Sequence, residues 1–279
     1  MRLEDESVVV REAYPAEYAE LVLAVTELGG TTVPMVLLAV LFWLSSRRRT
    51  ALVISYAVAG VAFLLAIKAA LALPRPPESA LLVPLSVDGY GFPSGHAFAA
   101  VVVYGGLCFA FERTQDRRWL AAIGAIVVLV SLSRVILGVH YLGDVLAGAV
   151  LGVAFLLAAN RLIRGDPEIG FAVAVALAAP AVVVTGGVDD ALLALGGGLG
   201  GLAATLSVDG FPETPSRTEG ALLVAVGLAG LAAIRTAADA VTVAPIQVGA
   251  YAVLVAWVLF VPVGAARLSP AMRRPFDSS

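Results

Sequence analysis

Two histidines and a single lysine stand out in a chain that is otherwise poor in polar groups. His96 and His140 are the only histidines among the 279 residues, and Lys68 is the only lysine. Asp144 follows His140 by four residues, so the two side chains share one face if this segment is helical. A carboxylate placed there can accept a proton from one ring nitrogen and leave the other nitrogen free as a nucleophile. This pair therefore indicates covalent or acid–base chemistry.

Three cations accompany the pair. Lys68 is followed by Arg75 in the segment KAALALPRP, and Arg134 precedes His140 in the segment SLSRVILGVH. Three cations match a dianionic phosphate and the charge that spreads over its oxygens when it is transferred. We therefore expect the substrate to carry a phosphoryl group.

The segment GFPSGHAF at 91–98 supplies a different kind of phosphate contact. Ser94 is a favourable N-cap, and Pro93 and Gly95 shape the turn before a predicted helix. The unpaired backbone N–H groups of a helix N-terminus bind anions readily. His96 lies in that first turn, close to where the phosphate would be held.

The composition is that of an integral membrane protein. The chain is 60% hydrophobic and 14% charged, whereas a soluble domain carries roughly a quarter charged residues. A net charge of −3 argues against a nucleic-acid partner, which would require a basic surface. Charged side chains at membrane depth are costly, so those above indicate function.

The hydropathy predicts an all-α, polytopic transmembrane helical bundle. Residues 16–28 are too short and too acidic to span a membrane alone, and they predict a short interfacial N-terminal helix. About nine longer segments are apolar enough to span, and they lie at 29–46, 50–73, 94–111, 119–138, 140–159, 169–185, 189–206, 220–237 and 247–267.

Arginines mark one side of this bundle. They follow the first, third, fifth and ninth segments, and by the positive-inside rule these loops are cytoplasmic. The acidic N-terminus and the histidine-bearing helix ends then face the extracytoplasmic side of the cell membrane. The arginines that define this topology are Arg47, Arg48, Arg49, Arg113, Arg117, Arg118, Arg161, Arg164, Arg267, Arg273 and Arg274.

A change in composition near residue 165 predicts two parts. Residues 1–165 carry the embedded polar groups and form the predicted catalytic core bundle. Residues 166–279 form a transmembrane extension of unknown role, which could pack against the core, make a homo-oligomer interface or shape lipid entry. The run GGGLGG at 196–201 lacks a following lysine, so it indicates close helix packing rather than a phosphate loop.

The three motifs, taken in order, carry a family resemblance. Lys68 with Arg75 and Pro76, then PSGH at 93–96, then Arg134 with His140 and Asp144 resemble the three-part signature of the type 2 phosphatidic acid phosphatase family. The order and the internal spacing fit that pattern throughout. The signature spans 68–144, and the resembling core covers about residues 16–160. Vanadium haloperoxidases share the signature, but they are soluble, so the hydropathy favours the membrane branch.

The resemblance implies a role for each residue of the pattern. His140 would attack phosphorus and become a phosphohistidine, Asp144 would orient it, and His96 would protonate the leaving alcohol. The resemblance implies no metal and no cofactor. The phosphoryl oxygens would be held by Lys68, Arg75, Ser94, Gly95 and Arg134.

The sequence thus predicts a membrane lipid phosphatase that releases phosphate from a phosphomonoester or diphosphate. A polyprenyl phosphate or diphosphate is the first choice of substrate, and phosphatidate-like and phosphatidylglycerophosphate-like lipids also fit. One alternative is a lipid phosphotransferase that passes the group to another hydroxyl. A second is a transporter or binding protein, which would need the cations but not the His140–Asp144 pair.

Overall fold

The structure of the protein, a computed structural model, describes residues 2–208, 210–212 and 217–268. In these ranges the regular structure is entirely helical, which confirms the predicted all-α class. Arg273 and Arg274, two of the topology arginines, lie outside the described residues. The eleven helices are α1 Glu4–Glu12, α2 Ala19–Thr26, α3 Thr32–Leu44, α4 Arg47–Leu71, α5 Gly95–Ala110, α6 Arg117–Ile136, α7 Leu142–Ile163, α8 Pro167–Thr185, α9 Asp189–Leu206, α10 Arg217–Asp239 and α11 Ala244–Leu268.

All nine predicted segments are helices, but fewer are long and apolar enough to cross a membrane. Six helices in the described part of the chain pass by length and composition: α4, α6, α7, α8, α10 and α11. Ala19–Gly29 and Thr32–Leu44 pass as a pair bent by 51°, which makes up to seven. By this test of length and composition the described residues give six or up to seven spans, whereas hydropathy predicted about nine.

The shortfall has local causes. Helix α5 is only a short apolar helix, and its middle, Val101–Gly105, is a π-helical turn. Helix α9 begins with two aspartates and contains the glycine run, which together lower its hydropathy. The segment predicted at 29–46 starts in the bend after Gly29, so only its later residues form one straight helix.

Local sequence signals explain where several helices begin and end. Asp116 caps α6 by accepting a hydrogen bond from the Arg118 N–H at 2.9 Å, and Asp166 caps α8 in the same way. Pro167 occupies the first turn of α8, where its missing N–H costs nothing. Gly186 ends α8 at φ 70°, the left-handed conformation that glycine adopts readily.

The described chain forms two compact units. The first comprises residues 1–34 and 63–162, and the second comprises residues 35–62 and 163–279. Every residue of the three motifs lies in the first unit. The predicted division into a catalytic core and an extension, at residue 165, concerns function and stays a prediction.

In the first unit, consecutive helices bring the three motifs to one end. The chain passes up the last part of α4, turns through a long loop, descends α5, ascends α6 and descends α7. Lys68 and Arg134 therefore lie near the ends of their helices, while His96 and Asp144 lie near the starts of theirs. Arg113, Arg117 and Arg161 fall at the opposite helix ends.

In the second unit, small residues allow close helix contact. A Cβ added at Gly200 would lie only 2.8 Å from the Ala252 Cα of α11, so the glycine run packs helix against helix, as its composition predicted. Other helices of this unit are joined to α11 by tryptophans: the Trp43 indole of α3 donates to the Val258 carbonyl, and the Trp257 indole of α11 donates to the Gly227 carbonyl of α10. No catalytic role emerges for these contacts.

Candidate active site

The turn between α6 and α7 places His140 beside Asp144. Gly138 makes this turn at φ 75°, and an added Cβ would overlap the Ala80 carbonyl oxygen. Asp144 lies in the first turn of α7 and is fully buried, and His140 is 2% exposed. His140 Nδ1 lies 3.5 Å from Asp144 Oδ2. The predicted pairing is therefore present as a contact, although it is longer than a typical hydrogen bond.

Asp144 also connects its helix to the turn that opens α5. The backbone N–H of Ser94 donates to the Asp144 carbonyl at 3.0 Å. Helix α7 can come this close because position 148 is glycine: an added Cβ there would lie 2.5 Å from the Ser94 carbonyl oxygen. The PSGH turn and the His140 turn are thus fixed to each other through the start of α7.

Ser94 precedes α5 in an extended conformation, as an N-cap residue does, but its hydroxyl makes no capping hydrogen bond. The expected side-chain cap is therefore absent. Its side chain is fully buried. The N–H groups of Gly95 and His96, in the first helical turn, have no intrahelical acceptor by the geometry of a helix start. Both the hydroxyl and these amides are available to an anion.

Arg75 reaches His140 from the loop between α4 and α5. Its Nη1 lies 3.3 Å from His140 Nε2, and its guanidinium also donates to the Asp88 carbonyl at 2.8 Å. Lys68 Nζ donates to the Tyr90 carbonyl at 2.8 Å. Asp88 and Tyr90 act here through their backbones, so two site cations also hold the loop in place.

Arg134 approaches from the end of α6. It is 7% exposed, and its Nη1 donates to Thr26 Oγ1 at 2.9 Å. Thr26 closes α2, in the segment predicted to be an interfacial helix. That segment therefore supplies a supporting residue to the site, a role the sequence did not predict.

Buried polar atoms without a partner are concentrated at this site. Four buried side-chain nitrogen or oxygen atoms in the described part of the chain make no hydrogen bond, and three belong to the predicted site. These three are Ser94 Oγ, Arg134 Nε and His140 Nδ1. An unpaired buried polar atom costs on the order of 1–3 kcal/mol. Their concentration indicates a site built to bind a polar ligand.

His140 is neutral at physiological pH. It lies in the turn between α6 and α7, and burial lowers its pKa to about 4. Contact with Asp144 opposes this shift. The positive charges of Arg134, Arg75 and Lys68 lower the pKa further. Neutral imidazole is the form with a free lone pair, so the environment favours a nucleophile. Burial also lowers the pKa of Arg75 from its usual value, while Asp144 and Asp88 oppose that shift.

His96 belongs to the same cluster. The charges of Arg134, Arg75 and Lys68 act on its ring. The start of α5 packs closely against the bend after α2, because a Cβ at Gly29 would lie 2.8 Å from the His96 carbonyl oxygen. The structure thus brings together all eight predicted site residues. In the described ranges, no three His, Cys, Asp or Glu side chains are grouped to hold a metal ion.

One charged residue of the site was missed by sequence analysis. Arg2 makes a two-point ion pair with Asp144, at 2.7 and 2.8 Å. It lies 142 positions away in the chain and before an acidic helix, and no motif marks it. A basic residue near a run of acidic ones is weak evidence of any site, so only the three-dimensional contact identifies it.

Comparisons with known proteins agree with this arrangement. The family model described as PAP2 superfamily matches residues 48–166. Phosphatidylglycerophosphatase B of Bacillus subtilis is 34% identical over 87 residues, which are 29% of this chain and 41% of the relative, so the match spans about two fifths of that relative's length.

A solved structure is also similar. The crystal structure described as the first transmembrane PAP2 type phosphatidylglycerolphosphate phosphatase from Bacillus subtilis has 27% identity and a TM-score of 0.46. That match covers 56% of this chain and 81% of the other. The segment that resembles the PAP2 superfamily model contains all three motifs, from Lys68 to Asp144.

Proposed function

We propose that this protein is a membrane lipid phosphatase that works through a phosphohistidine at His140. The observation that carries the proposal is the set of unpaired buried atoms on Ser94, Arg134 and His140. A phosphoryl group would satisfy the first two as a hydrogen-bond acceptor, and its negative charge would be balanced by Lys68, Arg75 and Arg134.

The contacts of the two nitrogens of His140 support different tasks for them. Nδ1 faces the Asp144 carboxylate at 3.5 Å, and Nε2 faces the Arg75 guanidinium at 3.3 Å. An Nδ1–H directed at Asp144 leaves the Nε2 lone pair directed toward the cations. We therefore infer that Nε2 attacks phosphorus.

The reaction would proceed in two displacements. In the first, a bond forms between Nε2 and phosphorus while the bond to the lipid oxygen breaks, and His96 gives that oxygen a proton. In the second, His96 takes a proton from water, whose oxygen forms a bond to phosphorus while the bond from phosphorus to Nε2 breaks, which releases inorganic phosphate and returns His140 as neutral imidazole. Arg75, Arg134, Lys68 and the first-turn amides of α5 would stabilise the charge in both transition states.

The position of the site at the ends of α4, α6 and α7, which are long and apolar enough to span a membrane, supports a lipid substrate. The loop arginines at the opposite helix ends favour an extracytoplasmic site by the positive-inside rule. The relative's name adds weight to phosphatidylglycerophosphate, while polyprenyl phosphates and diphosphates and phosphatidate remain candidates. The reaction proposed here uses no metal ion.

The test is phosphate release from a panel of these lipids in detergent. We expect the wild type to release inorganic phosphate from at least one of them, with and without a metal chelator, and His140→Ala to release none. Activity of His140→Ala equal to the wild type would contradict the proposal. Loss of lipid phosphate without free phosphate, matched by a phosphorylated acceptor, would indicate the phosphotransferase instead.

A further inference from the structure

The N-terminal helix brings a fourth cation to the turn that carries His140. Arg2 Nε donates to Asp144 Oδ1 at 2.7 Å, and its Nη2 donates to Oδ2 at 2.8 Å. Its Nη1 donates to the Pro74 carbonyl, next to Arg75, and its guanidinium lies 4.7 Å from the centre of the Tyr141 ring. The Asp144 side chain is fully buried and the Arg2 side chain is 15% exposed, so this two-point ion pair is partly shielded from solvent.

Separate contacts hold the backbone around Arg2 in place. The Gly143 N–H donates to the Arg2 carbonyl at 2.9 Å, and the Leu142 N–H donates to Ser7 Oγ at 2.7 Å. Both donors belong to the first turn of α7, which lacks intrahelical acceptors. A Cβ at Gly143 would lie 2.7 Å from the Arg2 carbonyl oxygen, so this approach requires glycine. Helix α1 is thus docked on the site.

Arg2 and His140 share one carboxylate. Asp144 Oδ2 accepts from Arg2 and from the Tyr141 N–H at 2.9 Å, and it is also the oxygen nearest His140 Nδ1. At 3.5 Å that ring nitrogen has no hydrogen-bond partner among the described residues. The arginine therefore holds the carboxylate in a position where its contact with His140 is long.

We propose that Arg2 is a positioning residue for His140, which acts by fixing the Asp144 carboxylate on two oxygens and limiting its contact with the imidazole. The catalytic meaning of this inference rests on the proposed function. The charged and titratable groups that face His140 are Asp144 from α7, Arg75 from the loop, Arg134 from α6, Lys68 from α4 and His96 from α5. Asp144 is the carboxylate in this group, so a change at Arg2 reaches His140 through it.

The direct test is an NMR titration of the histidines in detergent. The chain has only two, so ¹⁵N-histidine labelling gives two sets of signals, and His140→Ala assigns them. In Arg2→Gln we expect the titration midpoint of His140 to rise by about one unit, because Asp144 is free to approach the imidazole. Arg2→Lys keeps the charge but loses the two-point contact of the guanidinium with Asp144, so it should give a smaller rise in the His140 midpoint.

Arg11→Gln is the matched control, since Arg11 lies on the same helix and its side chain makes no hydrogen bond among the described residues. It should leave the titration unchanged. An unchanged His140 midpoint in Arg2→Gln would overturn the inference. If Arg2→Gln does not fold, the Arg2→Lys variant serves as the test. A His140 midpoint in Arg2→Lys equal to that of the wild type would then overturn the inference.

Kinetics separate this inference from the proposed function. We expect Arg2→Gln to lower kcat about tenfold by misplacing the nucleophile, with KM changed less than about twofold because Arg2 binds Asp144 rather than substrate. A wild type that releases no phosphate would refute the proposed function. The titration would then still test whether Arg2 positions Asp144 relative to His140. An active wild type with equal kcat and titration in Arg2→Gln would refute only the role of Arg2.

Discussion

Substitution of Thr26 is the most specific single test of how Arg134 is held at the phosphate-binding side of the site. Its hydroxyl accepts the hydrogen bond from Arg134 Nη1 at 2.9 Å, while Arg134 Nε has no partner and the side chain is 7% exposed. Thr26→Val keeps the branched shape and removes the acceptor. Arg134 would then hold a second unpaired nitrogen in a buried position.

The magnitude follows from the charge on the donor. A hydrogen bond to a charged group contributes about 1.5–3 kcal/mol. If that bond fixes the guanidinium against the transferred phosphoryl group, its loss should reduce kcat/KM by roughly ten- to a hundredfold. Thr26→Ser keeps the hydroxyl and should retain activity within about threefold of the wild type.

The assay is steady-state phosphate release from whichever lipid phosphate the wild type accepts, with a thermal melt of each variant in the same detergent. Thr185→Val is the control for loss of a partly buried helix hydroxyl, since Thr185 donates only to the Ala181 carbonyl of its own helix in the described contacts. It should be as active as the wild type. Equal kcat/KM for Thr26→Val and Thr26→Ser would refute the proposed support of Arg134.

Two further outcomes follow from packing and from protonation. Gly148→Ala should lower activity and the thermal midpoint, because its Cβ would lie 2.5 Å from the Ser94 carbonyl oxygen and overpacking costs about 1–3 kcal/mol. The control Gly124→Ala has open space at its Cβ and should be neutral or slightly stabilising, and equal melts for the two variants would contradict the packing argument. Because burial lowers the pKa of His140 to about 4 in the ligand-free protein, the imidazole stays neutral as pH falls from 7 to about 5, so the contribution of His140 to kcat/KM should persist and then fall near pH 4. A decline centred near the ordinary histidine pKa, about 6.5, would show that His140 is not so perturbed.

The sequence predicted which residues meet at the site better than it predicted the contacts that support them. Lys68, His96 and Asp144 were identifiable because charged and titratable groups are rare in apolar helices, and their spacing placed them at helix ends. Each lies in the cluster. The side-chain cap expected at Ser94 is absent, since its hydroxyl makes no such bond.

The supporting contacts could not be predicted because they join distant segments without a pattern. Arg2 meets Asp144 across 142 positions, and Arg134 meets Thr26 across 108. The Tyr90 carbonyl that accepts from Lys68 has no side-chain signature at all. Such contacts depend on how helices pack, which periodicity does not encode.

The number of spans shows a related limit. Hydropathy located the helix at 94–111, but not the π-helical turn within it or its short length. It likewise located the helix at 189–206 without weighing the aspartates in its first turn. Apolar composition identifies a buried helix, whereas spanning also requires length and continuity.

The central claim is that the phosphoryl group is carried by His140. The most direct measurement is rapid quenching of the enzyme at alkaline pH during turnover of a lipid phosphate that it accepts, followed by peptide mass spectrometry. The account predicts a phosphohistidine on the peptide containing His140 in the wild type, its accumulation when His96→Ala is used with a substrate bearing a good leaving group, and its absence in His140→Ala. Turnover with phosphate on another residue, or with none on His140 under conditions where the intermediate should accumulate, would contradict it.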